Sequence, residues 1–249
     1  MIIVAVLFLF VISLLLFIPP IPQWNSYHNF SDSRSCLGIN NFANVTSNIG
    51  FVFVGFVGLI RLFQPGIFHN YADRIPYVVF FLGIILVGIG SAYYHWNPST
   101  ETLFWDRLPM VVSFMSFFAA IIADRIHNKF GIYIMLPILI TAGILSLIYW
   151  RQTEMAGAGD LRLYELVQYF PLLAVPLIIL MFRDFQYTAT LPVFWVMGWY
   201  ICAKFFEHFD ADIFIILTKS VSGHTLKHLS AAVAAYYVSQ MLIRSNEPK

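Results

Sequence analysis

Residues 75–96 read IPYVVFFLGIILVGIGSAYYHW, and this stretch decides the fold. It contains no Lys, Arg, Asp or Glu across the roughly 20 residues that a helix needs to span hydrocarbon. It closes on Ser91 and His95, which are four residues apart and so share one helix face. An ionisable side chain in hydrocarbon is costly, and such groups generally have a functional reason.

Outward from it lie seven more apolar stretches, at about 1–18, 43–63, 106–123, 131–150, 163–182, 191–206 and 222–243. Short loops join them. The 249 residues are 59% hydrophobic and 11% charged, whereas a soluble domain carries roughly 25% charged residues. The expectation is an all-α, polytopic transmembrane helix bundle with a seven-helix core over 43–243 and an additional N-terminal helix over 1–18. Residues 19–42 are polar and turn-rich and are expected to form an extramembrane loop. The first stretch lacks a basic leader, and Pro-Pro-Ile-Pro follows it rather than a small-residue cleavage site. A retained anchor helix is therefore expected over a cleaved signal. A net charge of +1 argues against a nucleic-acid partner, which would need a basic face. Cys36 and Cys202 have no metal-site spacing and are expected to be unpaired.

Loop charges suggest an orientation. The face carrying 19–42, 97–105, 151–162 and 207–221 holds Arg34, Arg151, Arg162 and Lys219. The opposite face holds Arg61, Arg74, Arg125, Lys129, Arg183, Arg244 and Lys249. Seven against four places both termini in the cytoplasm and the first face outside. The outward face then collects the unusual polar residues. Ser91 and His95 end one segment, Asp106 begins the next, and His224 and His228 lie in the first turns of the last. Helix counting alone brings all five to one membrane level.

His224 and His228 are four residues apart, so two imidazoles can reach one metal ion. His95 from another segment would make three histidines, leaving one position for water. That is the open arrangement of catalytic zinc rather than the closed one of structural zinc. Each element also has a plainer reading. Ser91 can bond its own helix carbonyl, and Asp106 with Pro109 in the first turn fits an N-cap. His95 can be an interfacial histidine beside Trp96. His28 and His208 fall on the same face. Glu207, His208 and Asp210, in the charged run after 203, read either as a helix-end network or as groups that orient the ligand histidines. His69 and His127 fall on the opposite face.

At these residues the chain resembles the alkaline ceramidases, within the larger superfamily of seven-helix membrane hydrolases that includes the adiponectin receptors. Three blocks carry the resemblance: NFANVTSN at 41–48, GSAYYHWNPSTETLFWDRLPM at 90–110 and SGHTLKH at 222–228. It covers about 43–243, and the helix at 1–18 is additional to the family's core. The resemblance implies that His95, His224 and His228 bind zinc, with Ser91 and Asp106 beside the zinc-bound water. It implies hydrolysis of the ceramide amide to a sphingoid base and a fatty acid. Eukaryotic members resemble D-W-x-E-x-N before the first core helix, followed by a Glu, and these bind calcium. Here the stretch is Gln23, Trp24, Asn25, Ser26, Tyr27 and His28, and Asn41 replaces the later Glu. Calcium wants several carboxylate or carbonyl oxygens, so no calcium site of that kind is expected. Asp32 alone remains nearby.

The expected mechanism has the zinc-bound water attacking the amide carbonyl. Asp106 serves as general base and later returns the proton to the leaving amine, and Ser91 donates to the developing oxyanion. The alternatives are a zinc-containing lipid receptor of the adiponectin-receptor type and a lipid esterase or phospholipase. A haem protein fits less well, because His224 and His228 share one helix face. The absent calcium motif and the extra anchor suggest a bacterial-type member in an inner membrane, with the metal site near the outer face and membrane lipid as its partner.

Overall fold

The structure, a computed structural model, describes residues 2–15 and 17–244. The helices are α1 (Ile2–Leu15), α2 (Phe42–Thr46), α3 (Ile49–Leu62), α4 (Ile75–Trp96), α5 (Thr100–Arg125), α6 (Asn128–Phe130), α7 (Leu136–Met155), α8 (Arg162–Met181), α9 (Thr190–His208), α10 (Asp210–Ile216) and α11 (Gly223–Arg244). No strand occurs among the described residues; an isolated bridge joins Cys36 to Ile39. All eight apolar stretches are helical, which gives the all-α bundle expected. Met1 and Leu16 of the first stretch, and Lys249 of the charge comparison, lie outside the described residues.

Among the described residues, five segments are long and apolar enough to cross a membrane: Phe42–Leu62, Tyr71–Trp96, Thr100–Arg125, Asn128–Met155 and Arg162–Met181. The other three stretches are less apolar or shorter. α1 has 14 helical residues. α9 ends in Lys204, Glu207 and His208, and α11 opens with His224, Lys227 and His228.

Three features differ from the sequence expectation in ways that matter to the site. α5 starts six residues before Asp106. Ser99 Oγ accepts the Thr102 N–H at 3.1 Å, while Thr102 Oγ1 accepts the Ser99 N–H at 3.0 Å. This reciprocal cap turns the polar Thr-Glu-Thr into a first helical turn. Asp106 is therefore interior to the helix and not its N-cap, and Pro109 lies within it. Residues 210–216, expected as loop, form α10. The stretch at 43–63 is interrupted where Ser47 Oγ and Asn48 Nδ2 both donate to the Asn44 carbonyl, at 3.1 and 2.7 Å. Such side-chain bonds compete with the helix ladder.

The chain divides into two compact units. The first comprises Met1–Trp24, Phe68–Phe80 and Val111–Thr188. In it, α7 and α1 pack on α8, with Phe8 edge-on to Phe170 at 5.2 Å. Arg162 donates to the Leu15 and Ile18 carbonyls at 3.0 and 2.6 Å, a cation where the C-terminus of α1 has unpaired carbonyls. The same guanidinium pairs with Asp160 at 2.7 Å.

The second unit comprises Asn25–Ile67, Phe81–Met110 and Ala189–Lys249. α11 packs along α9 and α3. Small residues set the closest approaches, as is usual where helices meet in lipid. A Cβ on Gly88 would lie 2.9 Å from the Asn48 carbonyl oxygen, and one on Gly90 2.2 Å from that of Trp105. Gly90 thus seats α4 directly on α5, one residue from Ser91.

Candidate metal centre

Two helices of the second unit converge on one buried cluster. His95 comes from the last turn of α4, and His224 and His228 from the first turns of α11. One ring nitrogen of each lies within 4.8 Å of those of the others, and all three residues are buried. Their ring centroids are 4.7, 4.8 and 5.0 Å apart. His95 Nε2 and His224 Nε2 stand 3.3 Å apart. Tetrahedral zinc at about 2.0–2.1 Å from each nitrogen would set its ligands roughly 3.3 Å from one another, so this edge already has the size of a zinc site.

His228 shows which way the cluster is prepared. Its Nδ1 is 2.8 Å from Ser47 Oγ. Ser47 has already given its own hydrogen to the Asn44 carbonyl, so Oγ accepts and Nδ1 carries the proton. Nε2 is then a bare lone pair, the tautomer a metal requires. That atom is buried and has no hydrogen-bond partner, and neither has His95 Nδ1. Orphaned buried polar atoms cost about 1–3 kcal/mol each. A metal ion in the cluster would satisfy His228 Nε2 and the two facing Nε2 atoms, so the residues present fit zinc.

One helical turn before His95 on α4, Ser91 is buried, as is Asp106 on α5, and the Ser91 hydroxyl donates to the Asp106 carboxylate. The close contact at Gly90 makes this pairing possible, because it brings the backbone of α5 at 105–106 against α4. Lys227 and Arg107 act electrostatically on the same carboxylate.

The charged run after 203 divides by role. Glu207 Oε1 accepts from Lys227 Nζ and from the Tyr27 hydroxyl, both at 3.1 Å, and its other oxygen pairs with Lys204. Asp210 Oδ1 accepts the His224 N–H at 2.6 Å, and Oδ2 accepts the Ser31 N–H at 3.0 Å. It therefore fixes the start of α11 through the backbone. His208 is exposed, with its ring against Phe209. His69 and His127 belong to the other unit. Cys36 and Cys202 are unpaired and exposed.

Several neighbours were not legible as site residues. Phe30 lies against both His95 and His224, 4.6 Å from each ring. The Asn41 amide donates to the His95 carbonyl at 2.9 Å. Asn44, fully buried, accepts from Thr225 Oγ1 at 2.9 Å. His28 joins Tyr94 Oη and Thr100 Oγ1 at 2.9 and 3.1 Å. Burial and the Arg107 charge hold the His28 imidazole below its ordinary pKa, so it is the neutral ring that makes these bonds. Asp32 is taken up by Arg34 at 2.6 Å, and that hydrogen bond holds its carboxyl below the usual range. The block at 41–48 carried the only sequence trace of Ser47, Asn41 and Asn44, since each lies far along the chain from the group it meets.

No curated protein matches the chain. A protein-family model described as Ceramidase matches residues 35–247, a span that includes the three histidines, the Ser91–Asp106 pair and both polar residues that bond the triad from the 41–48 block. A match over most of the length, on the residues that build the buried cluster, places this chain in the ceramidase family.

Proposed function

We propose that the chain is a zinc-dependent membrane amide hydrolase that cleaves ceramide-like lipids to a sphingoid base and a free fatty acid. The observation that carries this is the buried His95–His224–His228 cluster with a lone pair prepared on His228, in a chain of the ceramidase family. Zinc held by these residues would supply Lewis-acid polarisation of the amide carbonyl and a more acidic water.

The remaining steps belong to the protein. Asp106 accepts the proton of the attacking water and passes it to the leaving nitrogen. Ser91 has one hydrogen, and it points at Asp106 while the carboxylate is charged. Once Asp106 is protonated it becomes the donor to Ser91 Oγ. The Ser91 hydrogen is then released to the carbonyl oxygen as that oxygen gathers charge. The pair thus couples proton uptake to oxyanion stabilisation. Phe30 and the apolar helix faces exclude water around the scissile bond. The catalytic core is residues 43–243, anchored by 1–18. Both termini are cytoplasmic, and the site is near the outer face.

The test is metal content together with hydrolysis of ceramides and matched ester lipids by purified protein, with and without chelator. One zinc per chain and chelator-sensitive release of fatty acid from ceramide are expected. Zinc without turnover on any lipid would move the reading to a receptor, faster turnover of the esters to an esterase, and absence of zinc would remove its basis. Asp106→Asn should keep zinc and lower kcat by about 10²–10⁴, whereas His95→Ala should lose zinc and activity together.

A further inference from the structure

Between α9 and α11 the chain makes a closed excursion. Asp210 Oδ1 accepts the His224 N–H at 2.6 Å, and a Cβ on Gly223 would lie 2.7 Å from the Asp210 Cα, so the two ends of residues 210–223 touch. Both ends stand at the level of His95, whose Nε2 is 3.3 Å from that of His224. His95 is the last residue but one of the apolar segment Tyr71–Trp96, and the next such segment opens at Thr100. The excursion therefore starts and finishes where hydrocarbon gives way to headgroups. Its helix, α10, has seven residues and is about 10 Å long. It either stands out into water or lies along the boundary.

The side chains decide between the two. Ile215 and Ile216 of α10 are 67% and 74% exposed, and Leu217 follows at 39%. The Lys219 N–H then donates to the Phe214 carbonyl at 2.7 Å, with Thr218 and Lys219 at φ 52° and 59°, a helix ending that ordinarily takes glycine. Three exposed apolar residues and then a lysine suit a membrane boundary, where apolar groups enter the acyl region and the ammonium stays with the headgroups. Arg34 ties a second tip to the first. Its guanidinium donates to the Ser220 carbonyl at 2.9 Å and lies 5.3 Å from the centre of the Phe214 ring. Just beyond it, Cys36 and Ile39 exchange backbone hydrogen bonds at 3.1 and 2.9 Å around Leu37 and Gly38, both at positive φ. Two-residue turns of that kind favour Asn or Asp at the first position, and a bulky residue there is strained. Leu37 is 88% exposed, so burial within the protein does not offset the strain.

We propose that the tip of α10, with Ile215, Ile216 and Leu217, and the turn bearing Leu37 insert into the bilayer interface beside the metal cluster and form a lipid-contact surface there. The bilayer fits better than a protein partner, because the excursion leaves from and returns to the ends of the membrane-crossing segments and is continuous with the lipid around them. Exposed large apolar side chains mark a contact surface, and at this level the surface they meet is lipid. Asp212 is exposed and lies one turn before Ile216 on the same helix face. A carboxylate stays among the headgroups, so only the far end of α10 enters the acyl region.

The experiment is spin-label accessibility in full-length protein reconstituted into phosphatidylcholine vesicles. Cys36→Ser and Cys202→Ser remove the natural thiols, and Leu37→Cys, Ile216→Cys and Asp212→Cys, one at a time, each carry a nitroxide. Molecular oxygen concentrates among acyl chains, and a water-soluble nickel chelate is kept out of them. At positions 37 and 216 oxygen should relax the label more strongly than nickel, and at position 212 the order should reverse. Stronger relaxation by nickel at 37 and 216 would place both tips in water and overturn the proposal. Poor access of both reagents would mean that protein covers the tips, a second copy of the chain or another partner, and would overturn it equally. Lipid access at only one of the two positions would overturn the joint surface. All three labels replace exposed side chains, and none of these readouts depends on zinc or on hydrolysis.

Discussion

Ser47 does for His228 what a carboxylate does in many metal sites: it holds the ring by the nitrogen that faces away from the cluster. A hydroxyl is a weaker acceptor than a carboxylate, so it orients the imidazole without adding charge to an already dry interior. Ser47→Ala should weaken zinc binding about 10–100-fold, measured by competition with a chromogenic chelator, while helix content by circular dichroism stays unchanged. Unaltered affinity would show that the tautomer of His228 is set by something else. At this scale the sequence was readable in part. The four-residue spacing of His224 and His228 and the position of His95 at a segment end were visible, because helix periodicity puts them on defined faces and levels. Ser47 and Phe30 were not, because their partners are 181 residues away for Ser47 and are reached through irregular chain for Phe30.

The elements were legible wherever hydrophobicity alone decides. All eight apolar stretches became helices, since lipid or a dry core leaves the backbone no other partner than itself. The polar ends were not legible by that rule. The Ser99–Thr102 cap lengthened α5 past Asp106, and α10 formed from a segment whose acidic residues had read as loop. The contact of α4 with α5 at Gly90 is the most exacting of these elements. Gly90→Val would drive a branched side chain into the Trp105 carbonyl, 2.2 Å from where its Cβ must go. It should cost about 3 kcal/mol or more and separate Ser91 from Asp106, read as a lower Tm and lost zinc. Between α7 and α8, the hydrogen bonds from Arg162 hold the Asp160 carboxyl down at a pKa of about 2. An unfolded aspartate titrates near about 3.9. The folded value is the lower one, so this contribution is complete above about pH 4 and is lost as pH falls towards about 2. Tm measured across that window should fall less steeply for Asp160→Asn than for the natural sequence.

For the whole molecule, the proposed orientation in the membrane rests on seven basic residues on one face against four on the other. The two unpaired, exposed cysteines make it directly measurable. With Cys202 replaced by Ser, a membrane-impermeant maleimide should label Cys36 in intact cells. Labelling only after the membrane is opened would reverse the orientation and place the site near the inner face.

One carboxylate joins two distant parts of the chain. Asp210 holds the Ser31 backbone with one oxygen and the His224 backbone with the other. The segment bearing Phe30 and the helix bearing His224 are therefore on one tether. The ring that covers His95 and His224 and the helix that carries His224 are thus not independent parts: a change that shifts one is felt by the other, and the cluster opens or holds as a single piece.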